Sequence, residues 1–486
     1  MTPPTRADLQ ELLSAQTPAV ELLPRFGVLL AGLAEEAVDA HERITLLEDL
    51  RTPLWRAMVQ YEQQELARAL PFSDAEMQRW HSYIEAWSLT LAAYLRALAE
   101  AGQEGMAGLV PLLLQRVVRQ AVQVALACFR AYQAVQPDLW LLVHEQLRHA
   151  EKLGVAEIAV ADPTIDREGR GSIADACLHL LLLDFCDPYG FAPGQLVLAS
   201  RWTERLARQS RLSLEPVAHG PAGFLVVDLE QGAGMRLLTE AARDGVARYV
   251  DISAARDSIK RLLAKLRLGI LPAELYLGED CTREDAEHIL ERIHRRWRTS
   301  QRRAHPRRVV DEVVRIAPGL VAVHRYLRWT GEGHAPELCE GLNESRLVDQ
   351  SPSGLGLIQG VVAQRLRCQQ LVALVARREV LLGSVRWLTV DPPTGLRFGV
   401  RVIAGRAHAG ALRTSSTVPG ELEPVLCLPA MPALDEPASL IASPGTYFPD
   451  REAELQQDGD APRRLRLERL METGADFERI SYQPVP

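Results

Sequence analysis

The stretch that divides this chain is Glu291-Arg292-Ile293-His294-Arg295-Arg296-Trp297-Arg298-Thr299-Ser300-Gln301-Arg302-Arg303-Ala304-His305-Pro306-Arg307-Arg308. It holds eight arginines and one carboxylate, a local charge of +7. Before it, apolar residues recur at helical spacing; after it, they fall into short runs broken by Gly and Pro. The plainest reading of such a run is a solvated helix end and a linker. The functional reading is an anion site. The arginine fork suits phosphate bidentately, and it also pairs with guanine O6 and N7.

On the N-terminal side, residues 1–185 predict an all-helical domain. Leu9, Leu12 and Leu13 open a 3.6-residue pattern, and Trp80, Ile84, Trp87, Leu91 and Tyr94 continue it. Residues 109–129 are apolar enough for a central buried helix. Pro53, Pro71, Gly102, Gly105 and Pro137 punctuate the region into helices of about 15–25 residues. Antiparallel hairpins in a short solenoid-like array satisfy this pattern, although no repeat of fixed period is present. Residues 186–299 predict a mixed α/β connector. Residues 223–229 read as a buried strand, and residues 252–268 and 283–297 as helices. Thr282 is the expected N-cap of the second helix, with Asp285 at the capping-box position.

On the C-terminal side, residues 300–408 predict a small antiparallel β-barrel. Its runs include residues 309–310, 320–327, 380–388 and 396–403. Residues 409–486 predict a β-rich extension. Residues 464–470 largely alternate, and Pro424, Pro429, Pro432, Pro437, Pro444 and Pro449 exclude long helices before them. The expected class is a multidomain α+β protein.

Composition bounds the function. Of 486 residues, 47% are hydrophobic and 24% charged, the mix of an ordinary globular protein. The 55 basic and 63 acidic residues give −8, which argues against a protein that coats nucleic acid. Only Lys152, Lys260 and Lys265 are lysines, so 52 of the basic residues are arginine. The cysteines, Cys128, Cys177, Cys186, Cys281, Cys339, Cys368 and Cys427, are scattered and never form CxxC, so a reducing, cytoplasmic setting is expected. The first residues lack a signal-peptide layout. Apolar runs such as 109–114, 124–129 and 180–183 fall short of the ~18–20 residues of a membrane span, so no transmembrane segment is expected.

Catalytic signatures are missing from the sequence. There is no Walker A loop and no GxSxG elbow. His144 and His149 stand five apart instead of the four of a zincin helix, so no metal is expected. Gly354, Gly356 and Gly360 miss the GxGxxG spacing. Glu35-Glu36 and Asp311-Glu312 read as solvated faces. No enzyme and no cofactor are expected.

About forty residues beyond the arginines lies Asp349-Gln350-Ser351-Pro352-Ser353-Gly354. A carboxylate accepts from the N1–H and N2–H₂ edge of guanine, a hydroxyl bonds phosphate or fixes a turn, and glycine permits a tight turn. The same residues also suit an ordinary hairpin. With Arg303-Ala304-His305-Pro306-Arg307 as RxxxR and Asp349 to Gly354 as (D/N)xSxxG, residues 300–405 resemble the PilZ domain family. Gly383-Ser384-Val385-Arg386-Trp387-Leu388, followed by Phe398-Gly399-Val400, is similar to the family's paired later strands.

The resemblance implies a small β-barrel and cyclic di-GMP as its ligand. It implies that Arg303 and Arg307 hold phosphate and guanine from the segment before the first strand. Asp349 and Ser351 would line the barrel facing them, with Gly354 keeping the turn open. Arg302, just before RxxxR, implies a third cation and stacking plate, and hence an intercalated pair of ligand molecules. No GGDEF- or EAL-like signature is present, so the chain is expected neither to make nor to destroy the nucleotide. The expected function is an effector that changes its domain arrangement on binding cyclic di-GMP. Its helical domain would bind a protein partner of motility, pilus or exopolysaccharide machinery. A degenerate PilZ scaffold acting by protein contacts alone is the alternative. Nucleic acid is not an expected partner, because the basic run is short and single in an acidic chain. Residues 330–336 read as an extended strand connection that reaches across the site.

Overall fold

Helical spacing in the N-terminal half becomes α1 (Arg6–Ser14), α2 (Ala19–Glu35), α3 (Ala40–Glu65), α4 (Asp74–Gln103), α5 (Val110–Arg130) and α6 (Pro137–Lys152). A two-residue hairpin, β1 (Val160–Ala161) with β2 (Arg170–Gly171), precedes α7 (Ile173–Phe185) and α8 (Pro193–Ala207). The computed structural model describes residues 4–485 apart from 15–18, 37, 66–68, 166–168, 219–223, 239–245, 299–305, 335–338, 361–364, 377–378, 392–394, 415–421 and 458–460. Two compact units result. The first comprises Met1–Arg68, Phe72–Pro188 and Pro193–Arg302, and the second Ala69–Pro71, Tyr189–Ala192 and Arg303–Pro486.

Helices α3 and α4 run to 26 and 30 residues, longer than their punctuation predicts. Pro53 lies inside α3 and does not end it. Leu50, Leu54, Met58 and Tyr61 continue one buried face across the proline, and that packing outweighs the lost backbone hydrogen bond. Helix α4 starts where Ser73 and Glu76 form a reciprocal capping box. Helix α5 is the central helix the sequence predicts, with Leu114, Val118, Val122 and Phe129 all fully buried. One expectation is corrected here. Residues Ala107–Arg130 are long and apolar enough to cross a membrane, because helical continuity joins runs that looked short separately; 89% of that window is buried inside the fold.

The rest of the first unit is mixed. Strands β3 (Arg211–Ser213), β4 (Phe224–Asp228), β5 (Arg236–Leu238) and β6 (Ala247–Asp251) form one sheet in the order β3-β6-β4-β5. Helices α9 (Ser253–Arg267) and α10 (Arg283–Arg298) follow. Thr282 caps α10 as expected: the Asp285 N–H donates to its Oγ1 at 3.1 Å, and that hydroxyl donates to the Asp285 carboxylate at 2.8 Å.

The second unit holds two closed six-stranded antiparallel barrels. The first is built from β7 (Arg308–Pro318), then α11 (Leu320–Gly331) in the connection, then β8 (Asn343–Ser351), β9 (Gly354–Gln359), β10 (Leu371–Ala376), β11 (Glu379–Asp391) and β12 (Gly395–Val402). The order β10-β11-β12-β9-β8-β7 closes through β7 and β10. The paired later strands are there, with Trp387 opposite Gly399 and Leu388 opposite Phe398.

Residues 320–327, read from sequence as a strand, are helix α11 instead. Gly319 supplies the positive φ of 86° at its start. Leu320, Val323 and Tyr326 are buried at three-residue spacing, which a helix face satisfies and a strand face does not. The connecting segment at 330–336 therefore begins as the end of a helix; residues 335–338 lie outside the described residues.

The expected β-rich extension is a barrel in its own right. Strands β13 (His408–Thr414), β14 (Glu423–Leu428), β15 (Ser439–Ala442), β16 (Glu452–Gln457), β17 (Arg463–Thr473) and β18 (Glu478–Pro484) close in the order β13-β14-β15-β18-β17-β16. Closure removes the sheet edges that an open extension would expose. Leu412, Val425, Leu440 and Leu467 fill its own core. A second core joins the two barrels: Leu320 and Tyr326 of α11, Leu371 and Leu382 of the first barrel, and Leu426 and Phe477 of the second. His324 of α11 reaches the Gly410 carbonyl of β13 at 2.9 Å.

Candidate functional site

Strand β8 runs between β7 and β9, so the segment before β7 and the end of β8 meet at one rim of the first barrel. The register sets Val309 opposite Asp349, and Asp349 opposite Gly356. Bulges interrupt both ladders, between Val309 and Glu312 on β7 and between Leu347 and Asp349 on β8. A bulge re-aims the side chains that follow it. Leu347 points into the core, whereas the Asp349 side chain stays 21% exposed at the rim.

There Asp349 meets Arg307. The Arg307 Nη1 donates to both carboxylate oxygens, at 2.7 and 2.9 Å. The Arg307 side chain is 26% exposed, so the pair is half-withdrawn from water and open to exchange. The structure thus brings these two residues, far apart in sequence, together at the rim. The Arg307 charge is thereby compensated by Asp349.

Ser351 and Gly354 close the adjacent turn. They face each other at the end of the β8–β9 ladder, and the Ser351 Oγ donates to the Gly354 carbonyl at 3.1 Å. Gly354 also pairs with Arg401 of β12, and Arg401 forms an ion pair with Glu472 of β17. The second barrel is thus tied to the strand that backs the turn. Arg302 and Arg303 lie outside the described residues.

One positioning residue escaped the sequence reading. A β-carbon at Gly356 would lie 2.7 Å from each carboxylate oxygen of Asp349. Asp349 therefore rests directly on a strand position that has to lack a side chain. The signal was present as a glycine two residues after Gly354, but only the strand register gives it this meaning.

Elsewhere in the basic run, Arg292 and Arg296 serve structure. Both are ion-paired with Asp187, and Arg292 also donates to the Asp187 carbonyl at 3.0 Å. Part of the run is thus the helix end of the plainer reading, and the part from Arg307 belongs to the barrel rim.

Comparison with protein families places both flanks of that barrel. Residues 9–218 match the family described as "Cyclic-di-GMP receptor FimW, N-terminal domain", and residues 408–485 match "FimW C-terminal beta-barrel domain". Both flanking regions are thus similar to FimW domains. The FimW N-terminal match spans α1 to β3, and the FimW C-terminal match spans β13 to β18. The first barrel and its rim lie between the two FimW matches. No curated protein and no solved structure matches the chain.

Proposed function

We propose that this chain is a receptor for cyclic di-GMP, which it binds at the rim of the first barrel and does not turn over. The observation that carries the proposal is the meeting of Arg307 and Asp349 at one rim, between domains of a family described as a cyclic di-GMP receptor. The two side chains complement the ligand's two chemistries. A guanidinium fork holds phosphate or the guanine O6/N7 edge, and a carboxylate accepts from guanine N1–H and N2–H₂. Binding exchanges the Arg307–Asp349 pair for charge-assisted bonds to the nucleotide, and Arg303 adds a second fork.

Arg302 provides a further cation, which favours two stacked ligand molecules per chain. The ligand recruits the arginine segment that links the two units, so its capture shifts their relative pose. The helical domain then regulates a protein partner in motility, pilus or exopolysaccharide machinery, in the cytoplasm; the seven cysteines are scattered and buried, which suits a reducing compartment.

Calorimetric titration of the full chain with cyclic di-GMP tests this reading. Arg303→Ala and Arg307→Ala are expected to lose at least about 100-fold in affinity while keeping the fold, since each removes a fork from a doubly charged ligand. Unchanged affinity in both variants would defeat the assignment. A saturation stoichiometry of one would remove the stacked pair and leave the site.

A further inference from the structure

The first unit contains a cavity of about 390 Å³ between α3, α5 and α8, a size suited to a small molecule. Its apolar wall is made by Trp55, Val59, Leu126 and Val197. Its polar wall comes from a stripe on α5, where Arg116, Arg119, Gln120, Gln123 and Arg130 are all buried among apolar core positions. Leucines at those positions would pack the bundle at less desolvation cost. Three of the five, Arg119, Gln123 and Arg130, line the cavity.

The charges around the cavity are matched in pairs. Arg130 holds Glu62 at 2.5 Å and donates to the Tyr83 hydroxyl at 2.8 Å. Arg119 holds Glu204. Arg201 faces Asp280 at 3.5 Å near the mouth. Three guanidinium groups thus face three carboxylates. His179 adds no charge near neutral pH, because burial pushes its pKa down to about 4; its Nε2 lies 3.2 Å from the Ser200 hydroxyl. Several buried nitrogens here remain without a hydrogen-bond partner: the Nε of Arg119, the Nε of Arg130 and the Nδ1 of His179. Gln123 is 4% exposed, and its amide borders the cavity.

From this arrangement we infer that the helical unit holds a second ligand site, which takes a zwitterion with an apolar body: an amino acid or dipeptide with aliphatic or aromatic side chains. A net anion, the nucleotide included, would set its charge against the half-buried Glu62 and Glu204, and a net cation would meet Arg119 and Arg130. A zwitterion opens an arginine–carboxylate pair at both ends without changing the net charge, and its side chain covers the apolar wall.

The test uses the full chain with L-leucine, L-phenylalanine and leucyl-leucine as probes. Leucinamide and N-acetyl-leucine keep the apolar body and lose one charge each; inorganic phosphate and cyclic di-GMP are the anionic controls. Calorimetry is expected to give one site of millimolar or tighter affinity for at least one zwitterion, and at least tenfold weaker binding of both singly charged analogues. Val197→Phe fills the cavity, and Gln123→Leu removes the amide at similar volume. Either is expected to weaken the zwitterion at least tenfold and to leave cyclic di-GMP binding unchanged. The inference is overturned if no zwitterion saturates, if N-acetyl-leucine or leucinamide binds equally well, or if both variants bind like the wild type. Because Arg307→Ala should leave this site untouched, its failure and that of the nucleotide site are separable.

Discussion

Asp349 illustrates how a single residue is prepared for chemistry by its neighbours. Arg307 bonds both its oxygens, a bulge turns it outward at the rim, and Gly356 leaves the space beneath it. Gly356→Ala would put a methyl group 2.7 Å from both oxygens, so the carboxylate has to move. We expect a loss of about tenfold in cyclic di-GMP affinity, equivalent to ~1.4 kcal/mol, with the melting temperature nearly unchanged. Calorimetry beside a thermal melt checks this; unaltered affinity would show that the ligand does not use Asp349 where it now lies. The motif residues Arg307, Asp349, Ser351 and Gly354 were legible because each carries its own chemistry. Gly356 was not, because its role exists only across a strand pair whose register a one-dimensional reading does not contain.

At the scale of elements, buried ion pairs organise α5. Asp162 is fully buried; it accepts from Arg51 Nη2 at 2.6 Å, Gln115 Nε2 at 3.0 Å and the Thr164 hydroxyl at 2.7 Å. Arg116 and Arg119 stand 3.4 and 3.7 Å away. Burial alone would raise the Asp162 pKa, but the charges of Arg51, Arg119 and Arg116 and the bond from Arg51 hold it well below the usual carboxylate range. A depressed folded-state pKa contributes stability above the unfolded value near 3.8, and that contribution drains away as pH falls below it. Asp162→Ala takes the carboxylate from the buried Arg51 guanidinium, while Arg116 keeps Glu48 and Arg119 keeps Glu204, and it is expected to cost about 3–5 kcal/mol at pH 7. Chemical denaturation would measure it, and a cost below about 1 kcal/mol would show the arginines to be satisfied by other partners. Asp162→Asn should also flatten the acid dependence of stability below pH 4. The helix itself could be read from its apolar run, yet its polar stripe could not be separated from ordinary amphipathicity. The misread elements share one cause. Pro53 and residues 320–327 carry local signals for a break and a strand, and long-range packing of Tyr61 in one case and Tyr326 in the other overrides them.

For the whole molecule, the informative fact is that the chain forms two units, with the Arg307–Asp349 rim in one and the helical cavity in the other. The barrels of the second unit share a core through α11, so they should unfold together, whereas the helical unit has its own buried network. Chains of this size and organisation seldom unfold in one step. Calorimetric melting should therefore resolve two transitions that can be moved separately. Asp162→Ala should lower only the transition of the helical unit. Cyclic di-GMP at about 100 times its dissociation constant adds ~2.7 kcal/mol to whichever unit binds it. For a unit of this length that is a rise of about 5–10 °C. The rise should appear in the barrel transition alone and vanish in Arg307→Ala. A zwitterion that fills the helical cavity should raise the other transition and survive Arg307→Ala. If cyclic di-GMP raised the transition that Asp162→Ala lowers, the nucleotide would be bound by the helical unit, and the rim at Arg307 and Asp349 would lose its assignment.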